Sequence, residues 1–346
     1  MNLDTMRIRA TCRNAGRLES QGVRTQLAWK VPLQNVPRIS PCHCSSVVII
    51  HHKRFAEMRQ DLLNKVEAAV TLLRKMEPIA LKYRDFGFIG CFSGGKDSQV
   101  IRQLLNIAGV QHIMKYQWTT IDPPEVLRFV RQEYPDVIIE RPHETFWQLC
   151  YRHGILPTQY KRFCCRELKE SRDSNCVVVT GVRHEESPKR KSRQAVEIMT
   201  RRRHPEFVRG SFDEFNMYKQ HHVDCIMGKD RLIVNPIIEW TSQDVWDFLD
   251  YMDLPHCELY DRGYTRVGCL FCPMASRRSL HMMERDYPKY RAAFIRLIGR
   301  IREKRRSSGG YDIYQTLTDE DVFDAWLNKY SYKKALANQC QLCLEF

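Results

Sequence analysis

A chain of 346 residues is long enough for one large domain with additions, or for two small ones, with a sizeable core. With 55 lysines and arginines against 41 acidic residues, its formal charge of +14 selects anionic partners: nucleotides, sulfated compounds or nucleic acid. No apolar run reaches membrane-span length and no secretory pattern opens the chain, so a cytoplasmic protein with no membrane partner is expected.

In chain order, residues 1–54 read as a poorly ordered basic extension, with Pro32, Pro37 and Pro41 and no sustained period. Two other readings stand beside it. One is a transit peptide, against which Asp4 and Glu19 weigh; the other is a natural start at Met58. Periodic structure begins near Phe55, with a helix expected as far as Met76. A buried strand follows at Phe88–Phe92, then a turn with Gly94 and Gly95, then a helix marked by Val100, Ile101, Leu104, Leu105 and Ala108. Beyond it the chain alternates. "HIMKYQWTT" predicts a strand, "PPEVLRFVRQEY" a helix, "DVIIE" a strand, "ETFWQLCYRHG" a helix, and "CVVVTGV" and "RLIVNPII" further strands. Strands alternating with helices predict an α/β fold, a doubly wound parallel sheet whose ligand crevice lies at the carboxyl ends of the strands. "TSQDVWDFLDYM" predicts a capped helix, and one long basic helix is expected from Leu280 to Arg302, stopped by "SSGG". The expected division is an extension over 1–54, an α/β domain over 55–275 and a basic helical region over 276–346.

Gly94 and Gly95 sit where a strand turns into a helix, so backbone N–H groups there can point at an anion on the positive end of the helix. Gly90 to Lys96 nearly spells the Walker A pattern, but Asp97 stands where a Ser or Thr should bring a hydroxyl to Mg²⁺. Ser93, Gly94, Gly95, Lys96, Asp97 and Ser98 instead resemble the pyrophosphate loop of the adenine-nucleotide α-hydrolase superfamily, which breaks the α–β bond of ATP.

Fourteen cysteines in a chain of this size fit a reduced compartment and a metal or redox centre better than a disulfide scaffold. Cys164 and Cys165 are adjacent, and Cys269 and Cys272 form a C-x-x-C. Four thiolates from two segments suit either zinc or an iron–sulfur cluster, while buried thiols with no metal are the plain alternative. Neighbouring cysteines diverge around one tetrahedral zinc, whereas a cubane offers separate irons. Cys257, twelve residues before the C-x-x-C, is a substitute for Cys164 or Cys165 as ligand, or else a packed thiol.

The paired cysteines followed by Cys-x-x-Cys resemble the [4Fe–4S] site of assimilatory adenylylsulfate reductases. "TGVRHEESPKR", "NPIIEWTSQDVW" and "LYDRGYTRVGCLFCP" are similar to segments of the wider phosphoadenosine phosphosulfate (PAPS) reductase family, in the expected order. The resemblance implies that Lys96 and the N–H groups from Gly94 to Ser98 hold phosphates of ATP or another adenine nucleotide. It implies too that Asp97 meets a phosphate-bound Mg²⁺, that Gly181 allows close approach to the nucleotide, and that Arg183 offers its fork to phosphate or sulfate oxygens. Glu185, Glu186, Ser187 and Arg190 would complete a polar loop, and Arg166 and Lys169 would face an anionic substrate or a thiolate cluster.

Two departures qualify the resemblance. The family's reductases end in a segment whose cysteine attacks sulfur, with Gly and His beside it; "NQCQLCLEF" keeps Cys340 and Cys343 but has neither neighbour. Those reductases usually carry a degraded loop, whereas SGGKDS is intact, as in relatives that cleave ATP. The expected function is therefore adenylylation at the loop coupled to iron–sulfur-dependent sulfur transfer, with a sulfur or electron donor protein as partner. The alternatives are an adenylyl- or phosphoadenylyl-sulfate reductase using Cys340 or Cys343, and a non-catalytic nucleotide- and nucleic-acid-binding regulator. Arg201, Arg202, Arg203 and the arginines of the long helix (Arg277, Arg278, Arg285, Arg291, Arg296, Arg300 and Arg302) make nucleic acid a candidate polyanion.

Overall fold

Helix α1, Gln60–Tyr83, buries Leu62, Val66, Leu73 and Met76 along one stripe. It continues past the expected end at Met76 and through Pro78, because Ile79 and Ala80 are still needed in the core. The structure is a computed structural model and describes residues 58–170, 173–199, 231–309 and 316–328. Arg201, Arg202, Arg203, Cys340, Cys343 and all of residues 1–57, the expected 1–54 extension included, lie outside those residues.

Strand β1 (Phe88–Phe92) leads into α2 (Lys96–Ala108), then β2 (His112–Gln117), α3 (Pro124–Glu133), β3 (Ile138–Glu140) and α4 (Phe146–His153). A short helical turn at Phe163–Cys165 and a π-helical turn at Arg166–Glu170 precede β4 (Val177–Val179). Strands β5 (Val196–Met199) and β6 (Arg231–Val234) and helix α5 (Ser242–Tyr251) follow. The sheet order is β3-β2-β1-β4-β6-β5. All pairings are parallel except β5 with β6, an antiparallel edge that the sequence pattern did not announce. From β1 the chain winds outward to β2 and β3, then returns to the other side of β1 at β4. That reversal puts the switch point of the doubly wound sheet between β1 and β4, where such sheets hold ligands.

The expected single helix from Leu280 to Arg302 is two: α6 (Arg277–Asp286) and α7 (Pro288–Ser307). Pro288 cannot donate to the preceding turn, and Tyr287 before it leaves the helical region at φ −128°, ψ 54°. Helix α8 (Asp319–Leu327) packs on α7, with Phe294, Phe323 and Trp326 in mutual ring contact. This contact also brings acids to the basic helix. Arg291 is held by Glu284, Glu320 and Asp324, and Arg302 by Asp319, so these two arginines are tied to acids rather than presented to a polyanion.

Candidate functional site

The loop after β1 is laced to itself. Ser98 Oγ accepts from the Ser93 N–H at 3.2 Å and donates to the Gly95 carbonyl at 2.7 Å. Gly94 is left-handed at φ +71°, and a Cβ there would stand 2.8 Å from Val126 of α3, so only glycine lets the loop lie this close. Lys96, 6% exposed, opens α2 and brings its ammonium to 3.2 Å from Asp97 Oδ2. The other Asp97 oxygen accepts from Arg183 Nε at 2.7 Å.

Arg183 comes from the segment after β4, two residues beyond Gly181. A Cβ on Gly181 would lie 3.0 Å from Asp97 Cβ and 3.1 Å from its carbonyl oxygen, so the bare glycine lets that segment reach the start of α2. The guanidinium, 2% exposed, also donates to Glu185 at 2.9 Å, to the Trp240 carbonyl at 3.2 Å and to Ser242 Oγ at 3.3 Å. Burial pushes the Glu185 carboxyl up, but the Ser242 N–H and hydroxyl and Arg183 pull it below the ordinary glutamate value. Glu186 accepts from the Arg183 N–H at 3.2 Å and pairs with Arg190, so the expected polar loop of Glu185, Glu186, Ser187 and Arg190 serves first to fix Arg183. The predicted Ser93, Gly94, Gly95, Lys96, Asp97, Ser98, Gly181 and Arg183 thus converge at the carboxyl ends of β1 and β4.

Sequence reasoning missed Tyr260. Its hydroxyl accepts from the Lys96 backbone N–H at 2.9 Å, one of the donors expected to meet an anion. The ring is braced edge-on by Trp246 at 5.0 Å. No short-range pattern links a tyrosine to a loop 164 residues away.

The second cluster lies at the ends of β2 and of the π-helical turn. Cys164 and Cys165 hydrogen-bond each other, and Cys164 feels the charges of Cys269 and Cys272, so the four sulfurs share one neighbourhood. That bond raises the Cys164 thiol and lowers Cys165, which Arg162 also favours as thiolate by donating at 3.4 Å. Burial pushes Cys269 up to about 12, against the pull of Lys169, while its Sγ lies 3.5 Å from both Thr119 Oγ1 and Asp122 Oδ1. Lys169 is held protonated chiefly by Cys269, with Asp122 and Cys165 adding to it. Arg166, expected beside it, instead points to Glu167 at 3.5 Å. Among the described residues no three His, Cys, Asp or Glu side chains close around a point that could hold one metal ion. The donor set still fits a thiolate cluster in its chemistry: four cysteines from two segments, with the cations of Lys169 and Arg162 beside them. Cys257 is fully buried, and the charged groups acting on it are Glu258, Glu125 and Arg262, the surroundings of a packed thiol.

Residues 87–275 match the phosphoadenosine phosphosulfate reductase domain. The chain belongs to this family. This member of the phosphoadenosine phosphosulfate reductase family is similar to an uncharacterized protein of Methanocaldococcus jannaschii, 25% identical over 246 residues, 68% of this chain and 53% of that one. Adenosine 5'-phosphosulfate reductases are also similar. That of Geobacillus thermodenitrificans is 29% identical over 151 residues (41% of this chain, 53% of the other), and that of Geobacillus kaustophilus 25% over 210 (57% and 78%). The chain therefore spans about half the length of the first curated relatives it matches. Among solved structures, phosphoadenylyl-sulfate reductase from Candida auris in a phosphate complex aligns with TM-score 0.39 at 15% identity, over 62% of this chain and 98% of that one. Candida glabrata FMN adenylyltransferase with FAD and pyrophosphate aligns at 0.41 and 15%, over 64% and 68%. Among the described residues no helix is long and apolar enough to cross a membrane.

Proposed function

We propose that this member of the phosphoadenosine phosphosulfate reductase family is an enzyme that activates an acceptor by adenylylation. The observation that carries the reading is the meeting of Lys96, Asp97 and Arg183 at one intact pyrophosphate loop. ATP would lie with its phosphates over the start of α2, where the Lys96 ammonium and the helix N-terminus favour negative charge. Arg183, fixed by Glu185 and the Trp240 carbonyl, would hold charge developing on the departing oxygens. Mg²⁺ would neutralise the phosphates, with Asp97 as its protein contact; each carboxylate oxygen keeps a lone pair beyond its present bond. An acceptor oxygen attacks the α-phosphorus, the α–β bridging bond breaks, and pyrophosphate leaves.

Cys164, Cys165, Cys269 and Cys272 would hold an iron–sulfur cluster, and such a cluster supplies electrons or labile sulfur to sulfur chemistry. Lys169 and Arg162 balance the charge of that site. A donor protein would deliver sulfur or electrons there. The division of labour proposed with this reading is nucleotide chemistry in residues 55–275, with the helices after residue 275 as a supporting region and 1–54 as an extension.

The second reading is sulfonucleotide reduction to sulfite, favoured by the relatives named adenosine 5'-phosphosulfate reductase. The assay that separates the two is exchange of labelled pyrophosphate into ATP, run anaerobically with Mg²⁺. Exchange that needs Lys96 supports adenylylation; sulfite formation from a sulfonucleotide without any exchange overturns it.

A further inference from the structure

Tyr160 is 96% exposed, although the turn that carries it is well tied. The Thr158 N–H donates to the Lys161 carbonyl at 3.2 Å and the Lys161 N–H to Thr158 Oγ1 at 3.0 Å. Trp326 Nε1 anchors the base of the turn through the Pro157 carbonyl at 2.7 Å. Gln159 donates to the Pro273 carbonyl at 3.2 Å, joining the segment before Cys164 and Cys165 to the one just after Cys272. A phenol ring is thus held out in water, with both faces open, on an ordered turn beside the two cysteine segments. Folding gains nothing from that placement.

The charges around it are equally unspent. Lys161 is exposed, and Arg277 and Arg278 are exposed in the first turn of α6, where the helix dipole disfavours cations and no acidic residue compensates. Among the described residues none of these three has a carboxylate ion-pair partner, in contrast to Arg291 and Arg302 on the next helix. Met274, 45% exposed, follows directly on Pro273.

We infer that this surface docks a single-stranded nucleic acid, with a base stacked on Tyr160 and phosphates on Lys161, Arg277 and Arg278. A lone ring with two free faces among unpaired cations suits stacked bases and a phosphate backbone. A protein partner would call for a broader apolar centre. The inference rests on the proposed function in one respect: it makes nucleic acid the acceptor presented to the cysteine site.

The test is fluorescence anisotropy of the full chain with a labelled 20-nucleotide single-stranded RNA and its DNA counterpart, at 50 and 200 mM salt. Tyr160→Ala is expected to weaken binding by about fivefold or more, and Tyr160→Phe to retain it. Arg277→Glu with Arg278→Glu should weaken binding and flatten its salt dependence. Pyrophosphate exchange, run in parallel with the oligonucleotide as acceptor, should fall with binding in Tyr160→Ala and in the arginine double variant and persist in Tyr160→Phe. Tyr160-dependent binding in a protein without exchange would keep this surface and remove the adenylylation reading. No binding at 50 mM salt, or equal affinity in Tyr160→Ala, overturns the inference. Loss of reduction by an acidic thioredoxin in Tyr160→Ala, with oligonucleotide affinity unchanged, overturns it in favour of a protein partner.

Discussion

Arg183 and Asp97, 86 residues apart in the chain, meet at 2.7 Å, and the same carboxylate holds Lys96 at 3.2 Å. One acid thereby sets two cations of the candidate nucleotide site. It also ties the crossover after β4 to the first turn of α2.

This double duty separates two substitutions that sequence alone would treat alike. Asp97→Ala leaves a guanidinium that is 2% exposed without its nearest counter-charge, so it should cost about 1.5–3 kcal/mol as well as activity. Lys96→Ala keeps the Asp97–Arg183 bond. It should lower pyrophosphate exchange at least about tenfold with a smaller change in stability. Urea unfolding midpoints beside exchange rates make the check. Equal stability loss in both variants would show that Asp97 does not bridge the two elements, and normal exchange in Lys96→Ala would move the nucleotide elsewhere.

Asp244 links helix α5 to α1. It accepts from Lys65 at 2.6 Å, from Arg59 at 2.9 Å and from the Thr241 N–H at 2.8 Å. Burial pushes its carboxyl up, but Lys65 and Thr241 outweigh that and leave it below its ordinary value of 3.8. A depressed folded pKa means stability that is complete above the unfolded value and is lost as pH falls through the folded one. Asp244→Asn should therefore unfold at lower urea than wild type at pH 7, and the gap should narrow as both are taken below pH 3.8. A gap of constant width would assign the loss to packing rather than charge.

Much of this was legible because the signals are local. A strand, two glycines and a 3.6-residue apolar period mark the loop and α2 within 24 residues, and the likeness of "TGVRHEESPKR" to the family's segment singles out Gly181 and Arg183. What escaped is set by distant contacts. Val196–Met199 becomes a strand only by pairing with β6, from Arg231 onward, across the intervening chain. Tyr260 joins the loop only once the fold is closed, and the acids that hold Arg291 and Arg302 stand on another helix. The break at Pro288 was the exception: proline signals it locally, and the basic periodicity on either side hid it.

The cysteines give a direct test. Anaerobic protein reconstituted with iron and sulfide should gain broad visible absorption and acid-labile sulfide, and Cys269→Ser or Cys272→Ser should lose both. Cys257→Ala should keep them, since its surroundings are Glu258, Glu125 and Arg262 rather than the paired thiols. Circular dichroism of each variant separates ligand loss from unfolding. Stoichiometric zinc without sulfide, or a cluster lost with Cys257 and kept without Cys164, would redraw the ligand set.

The choice between activation and reduction can be made at the two ends of the chemistry. Reduction needs a thiolate to attack sulfur in a bound sulfonucleotide and a second thiol to release the product. Cys340 and Cys343 offer thiols, but the sequence around them has neither the glycine nor the histidine that flank the nucleophile in the family's reductases. At the loop, by contrast, the groups proposed to hold a triphosphate are already gathered: Lys96 and Arg183 both meet Asp97, with Tyr260 against the Lys96 N–H. Removing residues 338–346 should accordingly leave pyrophosphate exchange near the wild-type rate. Adenylylsulfate or phosphoadenylylsulfate with thioredoxin should yield little sulfite from either protein. Rapid sulfite formation that disappears with those nine residues would make the chain a reductase and leave its intact loop as a binding site for the sulfonucleotide alone.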